Sequence, residues 1–180
     1  MELSFLYSIP RTGWLDALFL GITKVTGSIG QLWLIIAVIL LIFRKTRKTG
    51  AGVLISYAGV LIIGELILKH LVTRLRPCQI DQAFEMLVLR PASSSFPSTH
   101  SAWSFGAATV IFIYHKKAGV VAFIGAALIA FSRMYLFLHF PTDVLAGIVL
   151  GVVMGILAAW ICNCVWRKFG WGDEQGAVHQ

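Results

Sequence analysis

TDVLAGIVLGVVMGILAAWICNCV, residues 142–165, carries no charged side chain between Asp143 and Arg167. About 20 apolar residues at 1.5 Å each cross the hydrocarbon of a bilayer, so this run is predicted to be a membrane-spanning helix. Gly147, Gly151 and Gly155 recur within it at four-residue spacing. That spacing puts them on one helix face, where a neighbouring backbone can approach closely.

Working outward, Gln31–Phe43, Gly50–Leu68, Ser101–Tyr114 and Ala118–Leu138 are further apolar runs, each bounded by charges, proline or a polar cluster. A weaker run, Trp14–Ile29, contains Asp16 and Lys24, a composition that suits either a span or an amphipathic helix at the interface. The chain as a whole is 58% hydrophobic and 13% charged, with a mean hydropathy of +0.82. These features predict an all-α membrane protein of about six transmembrane helices in one bundle. A single domain over residues 1–180 is expected, with no room for a separate soluble domain.

Fifteen Lys and Arg against eight Asp and Glu give a formal charge of +7. The cations sit in short clusters between apolar runs, and no basic stripe interleaved with aromatics is present, so nucleic acid is not the expected partner. The bilayer is. Arg44, Lys45, Arg47 and Lys48 follow the second run, His115, Lys116 and Lys117 the fourth, and Arg167 and Lys168 the sixth. The rule that cations stay inside predicts that these clusters are cytoplasmic, with both termini inside and the loops at 77–97 and 139–141 facing outward. Three cysteines, Cys78, Cys162 and Cys164, suggest neither a disulfide framework nor a metal site. The N-terminus lacks the pattern of a cleaved signal peptide, so the first helix is expected to stay.

Ionisable groups at membrane depth are costly, and each is a candidate functional residue. Four places stand out: Glu65 with Lys69, RLRP at 74–77, SSSFPSTHS at 93–101 and SRMYLFLHFPTD at 132–143. On the predicted topology all of them reach one depth at the outward ends of helices. A lone Arg there ordinarily snorkels to headgroups and a lone His is ordinarily a satisfied polar residue, but four such places together point to a site.

Their chemistry suits phosphate ester cleavage, in which fixed cations and backbone N–H groups stabilise charge spread over the phosphoryl oxygens. Lys69, Arg76 and Arg133 are the candidate cations. Ser98 is the expected N-cap of a helix whose first N–H groups would hold an anion, with Ser98 and Thr99 at its oxygens. His100 and His139 suit a division between nucleophile and proton donor. With Pro141 in the first turn of the last helix, the Asp143 carboxylate is expected to reach back to one imidazole nitrogen of His139 and fix its tautomer. Glu65, one turn before Lys69, is placed either to hold the Lys69 ammonium or to form an incidental pair.

The same residues resemble the type 2 phosphatidic acid phosphatase superfamily, whose signature reads K-x6-R-P, P-S-x-H and S-R-x5-H-x3-D. Here the three parts are Lys69 to Pro77, Pro97 to His100 and Ser132 to Asp143, in order and at the required spacings. The resemblance covers residues 50–165 and implies a six-helix, metal-independent phosphatase acting at the outer face of a bacterial cytoplasmic membrane, with no cofactor. It implies that His139 is the nucleophile, Asp143 its orienting partner and His100 the acid for the leaving oxygen. Lys69, Arg76, Ser98, Thr99 and Arg133 become the phosphate cradle. Thr99 stands where many members carry Gly or Asp, a change that leaves its backbone N–H in place.

Two other function classes fit parts of the pattern. A metal hydrolase would use His139 and Asp143 as ligands but lacks further donors, and the nearby cations would repel the metal. A lipid-binding or transport protein needs the cations but not a nucleophile with an orienting carboxylate. Within the resemblance, the substrate is expected to be undecaprenyl pyrophosphate or a glycerophospholipid phosphate such as phosphatidylglycerophosphate or phosphatidate, with lipid A as the alternative. Phe84, Met86, Leu87, Val88 and Leu89 form an apolar run suited to touching lipid chains or to packing on the bundle.

Overall fold

The structure, a computed structural model, describes residues 1–169, so the last eleven residues of the expected single domain lie outside the described residues. These form helices α1 (Glu2–Ser8), α2 (Gly13–Thr26), α3 (Gln31–Ile42), α4 (Arg47–Leu71), α5 (Pro77–Ile80), α6 (Thr99–Tyr114), α7 (Lys116–Tyr135) and α8 (Pro141–Lys168). No strand occurs among the described residues.

The all-α membrane architecture agrees with the sequence. Among the described residues α4, α7 and α8 are by length and composition able to cross a bilayer, or four spans if α2 and α3 together count as one, which does not establish the expected count of about six. Gly27 (φ 69°) and Gly30 (φ 68°) put left-handed turns between α2 and α3, and the pair bends by 52° there. Helix α6 has 16 residues and lies at the centre, packed by α4, α7 and α8, with most of its first three turns buried. The apolar surface of those turns is covered by protein, while Ile113 in the last turn is exposed.

Small residues set how closely α8 meets α6. A Cβ on Gly147 would lie 2.3 Å from the Ser98 carbonyl oxygen, one on Gly151 2.3 Å from that of Ala102, and one on Gly155 2.7 Å from that of Gly106. The three glycines thus bring one backbone onto another, as their spacing predicted. Gly151→Ala is therefore expected to lower the thermal unfolding temperature in detergent. Forcing a methyl into this contact costs about 1–3 kcal/mol, which outweighs the roughly 1 kcal/mol gained in helix propensity. An unchanged or raised unfolding temperature would show that the two helices do not need this approach.

This contact also positions the site. The Ser98 N–H donates to the Asp143 carbonyl at 3.0 Å, so the start of α6 is tied directly to the start of α8. In α4 the backbone widens to π-type geometry over Leu61–Leu68, where the Lys69 N–H reaches five residues back to the Gly64 carbonyl. Such a widening rotates the residues after it relative to a regular helix, and it recurs at functional sites. Here it precedes Lys69.

Candidate active site

Lys69, Arg76, Thr99, His100, Arg133 and His139 line one cavity of about 930 Å³. They come from α4, the loop after it, α6, α7 and the α7–α8 turn, so residues up to 70 positions apart in sequence share one space. The cavity continues between apolar walls that include Leu20, Ile29, Leu61 and Met86–Leu89. The 84–89 run divides its work: Phe84 stacks on Phe137 at 4.0 Å between ring centroids, while Leu89 is almost fully exposed.

His139 is held in one orientation. Its Nδ1 lies 2.7 Å from the Ser95 carbonyl, an acceptor, so Nδ1 carries the proton. Its Nε2 lies 3.0 Å from Nη1 of Arg76, a donor, so Nε2 carries the lone pair. Burial, then the nearby cations Arg76 and Lys69, then His100, hold its pKa well below the ordinary histidine range, so the ring is neutral at physiological pH. A neutral imidazole with a free Nε2 lone pair is the form in which histidine attacks an electrophile.

The expected hydrogen bond from His139 to Asp143 is not formed: Nδ1 stands 3.9 Å from Oδ2. Pro141 does open α8, and Asp143 falls in its first turn as anticipated. There, however, Oδ2 accepts from the Phe140 N–H at 2.8 Å and from the Ser95 hydroxyl at 2.5 Å, while Oδ1 accepts from Arg74 at 2.7 Å. These donors turn the carboxylate away from the ring. Ser95, whose carbonyl takes the Nδ1 proton, was passed over in the sequence because a backbone acceptor leaves no residue-type signal.

Ser98 is also differently placed. It is the N-cap of α6, as predicted, but it is fully buried and does not line the cavity. Its Oγ pairs with Ser101 Oγ at 2.9 Å, and its N–H is already given to Asp143. The first bond of α6 runs from Ala102 to the Ser98 carbonyl, so Thr99 and His100 supply the early N–H groups that no intrahelical carbonyl takes. Thr99 is at the cavity wall.

The three cations differ in how committed they are. Arg76 spends all five N–H donors: on the Ser93 carbonyl and hydroxyl, the Ser94 and Leu138 carbonyls, and His139. Lys69 makes a two-oxygen ion pair with Glu65, at 2.8 and 3.0 Å. Arg133 bonds through Nε and Nη2 to Ser132, and through Nη2 to Thr23 at 2.6 Å; its Nη1 makes no hydrogen bond among the described residues. His100 Nε2 lies 2.9 Å from the Gly27 carbonyl, which makes Nε2 the donor and leaves Nδ1 to exchange a proton. Thr23 and Gly27 belong to the bent α2–α3 pair and carried no motif by which to find them.

A PAP2 superfamily model matches residues 49–168. Among curated relatives, the undecaprenyl-diphosphatase of Sulfolobus acidocaldarius is 34% identical over 130 residues, covering 72% of this chain and 63% of that protein. Phosphatidylglycerophosphatase B of Bacillus subtilis is 34% identical over 159 residues, covering 82% of this chain and 75% of that protein. The chain thus spans less than two thirds of the length of the first of these. Its backbone is similar to the crystal structure of a transmembrane PAP2-type phosphatidylglycerolphosphate phosphatase from Bacillus subtilis, with a TM-score of 0.71 at 30% identity over 92% of this chain and 85% of that one. On the extent of that match, and on helices that cross the membrane, the chain is an integral membrane protein that belongs to the PAP2 superfamily.

Proposed function

We propose that this protein is a metal-independent membrane lipid phosphatase that removes the terminal phosphate of a lipid phosphate or diphosphate through a phosphohistidine at His139. One observation carries the reading: a neutral histidine whose Nε2 lone pair points to Arg76 lies beside Lys69 and Arg133 in a cavity that continues between apolar walls. Cations without such a nucleophile would serve binding alone.

In this mechanism His100 takes up a proton at Nδ1 from the phosphate as substrate binds; Nε2 of His139 attacks phosphorus, the bond from phosphorus to the leaving oxygen breaks, and that oxygen takes the Nδ1 proton of His100. Water then attacks the phosphohistidine and gives a proton back to His100, and inorganic phosphate leaves. Lys69, Arg76 and Arg133 offset the charge on the phosphoryl oxygens, together with the first N–H groups of α6. Arg76 must exchange its bond to His139 for one to phosphate, which frees the lone pair as substrate enters.

The apolar walls suit a prenyl or acyl chain, and the undecaprenyl-diphosphatase and phosphatidylglycerophosphatase relatives favour undecaprenyl pyrophosphate or a glycerophospholipid phosphate. An outer-face site in the cytoplasmic membrane is supported by the basic clusters, which lie at the opposite ends of the helices that carry the motifs. Both points have a direct test. Purified protein in detergent should release phosphate from one of undecaprenyl diphosphate, phosphatidylglycerophosphate or phosphatidate. In cells, a cysteine at the exposed position Ala92 should react with an impermeant maleimide. Binding of these lipids without phosphate release would leave only a lipid-binding protein, and labelling confined to opened cells would reverse the orientation.

A further inference from the structure

Arg74 lies outside all three motif segments' specified positions, yet the residues around His139 converge on it. Its Nη1 donates to Asp143 Oδ1 at 2.7 Å and to Thr142 Oγ1 at 2.6 Å, and its Nη2 pairs with Glu2. Its guanidinium lies over the Phe140 ring, 4.4 Å from the centroid. Its backbone grips the loop opposite: the Arg74 carbonyl accepts from the Ser95 N–H at 2.8 Å, and the Arg74 N–H donates to Ser94 Oγ at 3.2 Å. Ser95 is thus held on one side by the Arg74 backbone and on the other by the carboxylate that the Arg74 side chain holds.

From this arrangement we infer that Arg74 is a positioning residue for the phosphohistidine chemistry, acting on His139 through Asp143 and Ser95. The inference rests on the functional reading above. Asp143 is fully buried, and a buried carboxylate keeps one orientation only when its oxygens have partners. Arg74 takes Oδ1 and thereby leaves Oδ2 to the Ser95 hydroxyl and the Phe140 N–H. The Ser95 carbonyl then meets Nδ1–H of His139, which keeps the lone pair at Nε2. When Nε2 is phosphorylated the ring becomes cationic, with that carbonyl against Nδ1–H and the carboxylate 3.9 Å away. Arg74 does not line the cavity and makes no contact with the reacting atoms.

The test compares wild type, Arg74→Ala, Arg74→Lys, Asp143→Ala and the Arg74→Ala/Asp143→Ala double variant, each as the full chain in detergent, on p-nitrophenyl phosphate and farnesyl diphosphate. Arg74→Ala should lower kcat by about 10- to 100-fold, the range seen when an outer partner of a metal-bound histidine is lost. KM and vanadate affinity should change less than about threefold. Arg74→Lys, or added guanidinium, should restore part of the rate. The double variant should be no slower than Asp143→Ala, because residues acting as one unit are not additive. Histidine ¹⁵N spectra give a readout free of turnover: His139 should be an Nδ1–H tautomer in wild type and a mixture in Arg74→Ala. Multiplied losses in the double variant, an equal loss of vanadate affinity, or an unchanged tautomer would overturn the inference. If wild type cleaves neither substrate while the tautomer still shifts with Arg74, the phosphatase reading falls and the positioning role stands.

Discussion

His139→Ala will abolish phosphate release from every substrate, whereas His100→Ala will lose it from lipids but recover much of it on p-nitrophenyl phosphate. The two histidines face one cavity, yet their hydrogen bonds make them unequal. His139 gives its Nδ1 proton to the Ser95 carbonyl and keeps a lone pair at Nε2 beside Arg76, the arrangement of a nucleophile. His100 gives Nε2–H to the Gly27 carbonyl, which leaves Nδ1 as the nitrogen that would carry a proton to the departing oxygen in the proposed mechanism. Losing a nucleophile removes the covalent route and should cost on the order of 10⁵-fold or more. Losing a general acid costs about 10²- to 10⁴-fold with a poor leaving group and little when the leaving group departs without a proton. Asp143→Asn should fall between the two, since an amide in place of one oxygen disturbs the acceptor set for Arg74, Ser95 and Phe140 while the nucleophile remains. Steady-state rates on a lipid and on the aryl phosphate decide the matter. The reverse order, with His139→Ala rescued and His100→Ala dead on the aryl ester, would exchange the roles.

Arg133→Ala is expected to weaken vanadate and phosphate binding by about 10²-fold. Arg76 has every donor engaged within the protein and must give up a bond to take an anion, whereas Arg133 keeps Nη1 without a hydrogen bond among the described residues. Arg133 is 2% exposed, so its charge acts with little screening by water. A charge-assisted contact of this kind is worth about 1.5–3 kcal/mol, and 2.7 kcal/mol corresponds to about a hundredfold in affinity. Because the cation acts on the bound phosphate as well as on the transition state, KM should rise along with the fall in kcat/KM. Titration with vanadate, followed by protection against thermal unfolding, measures the change. Undiminished protection would remove Arg133 from the cradle.

The chain's own order of residues determined that this is a helical membrane protein, because the apolar runs and their charged boundaries are local properties. It also pointed to most of the ionisable side chains that share the cavity, since each motif lies within one turn or helix end: Pro97 and Ser98 start α6, Pro141 and Asp143 start α8, and the 147-151-155 glycines mark the contact between them. Three things waited for the tertiary structure. The bend between the first two long apolar runs comes from the left-handed turns at Gly27 and Gly30. The partner of His139 proved to be the Ser95 carbonyl, because Asp143 is drawn towards Arg74, Ser95 and Phe140 by donors that sequence spacing does not bring near it. The acceptor for His100 is a carbonyl 73 positions away, and the hydroxyl beside Arg133 is 110 positions away, both on the α2–α3 pair. Helix periodicity and capping are fixed by neighbours along the chain and can be read from it. A hydrogen bond between distant segments depends on how helices pack, and a backbone carbonyl, which every residue carries, leaves no mark in the sequence.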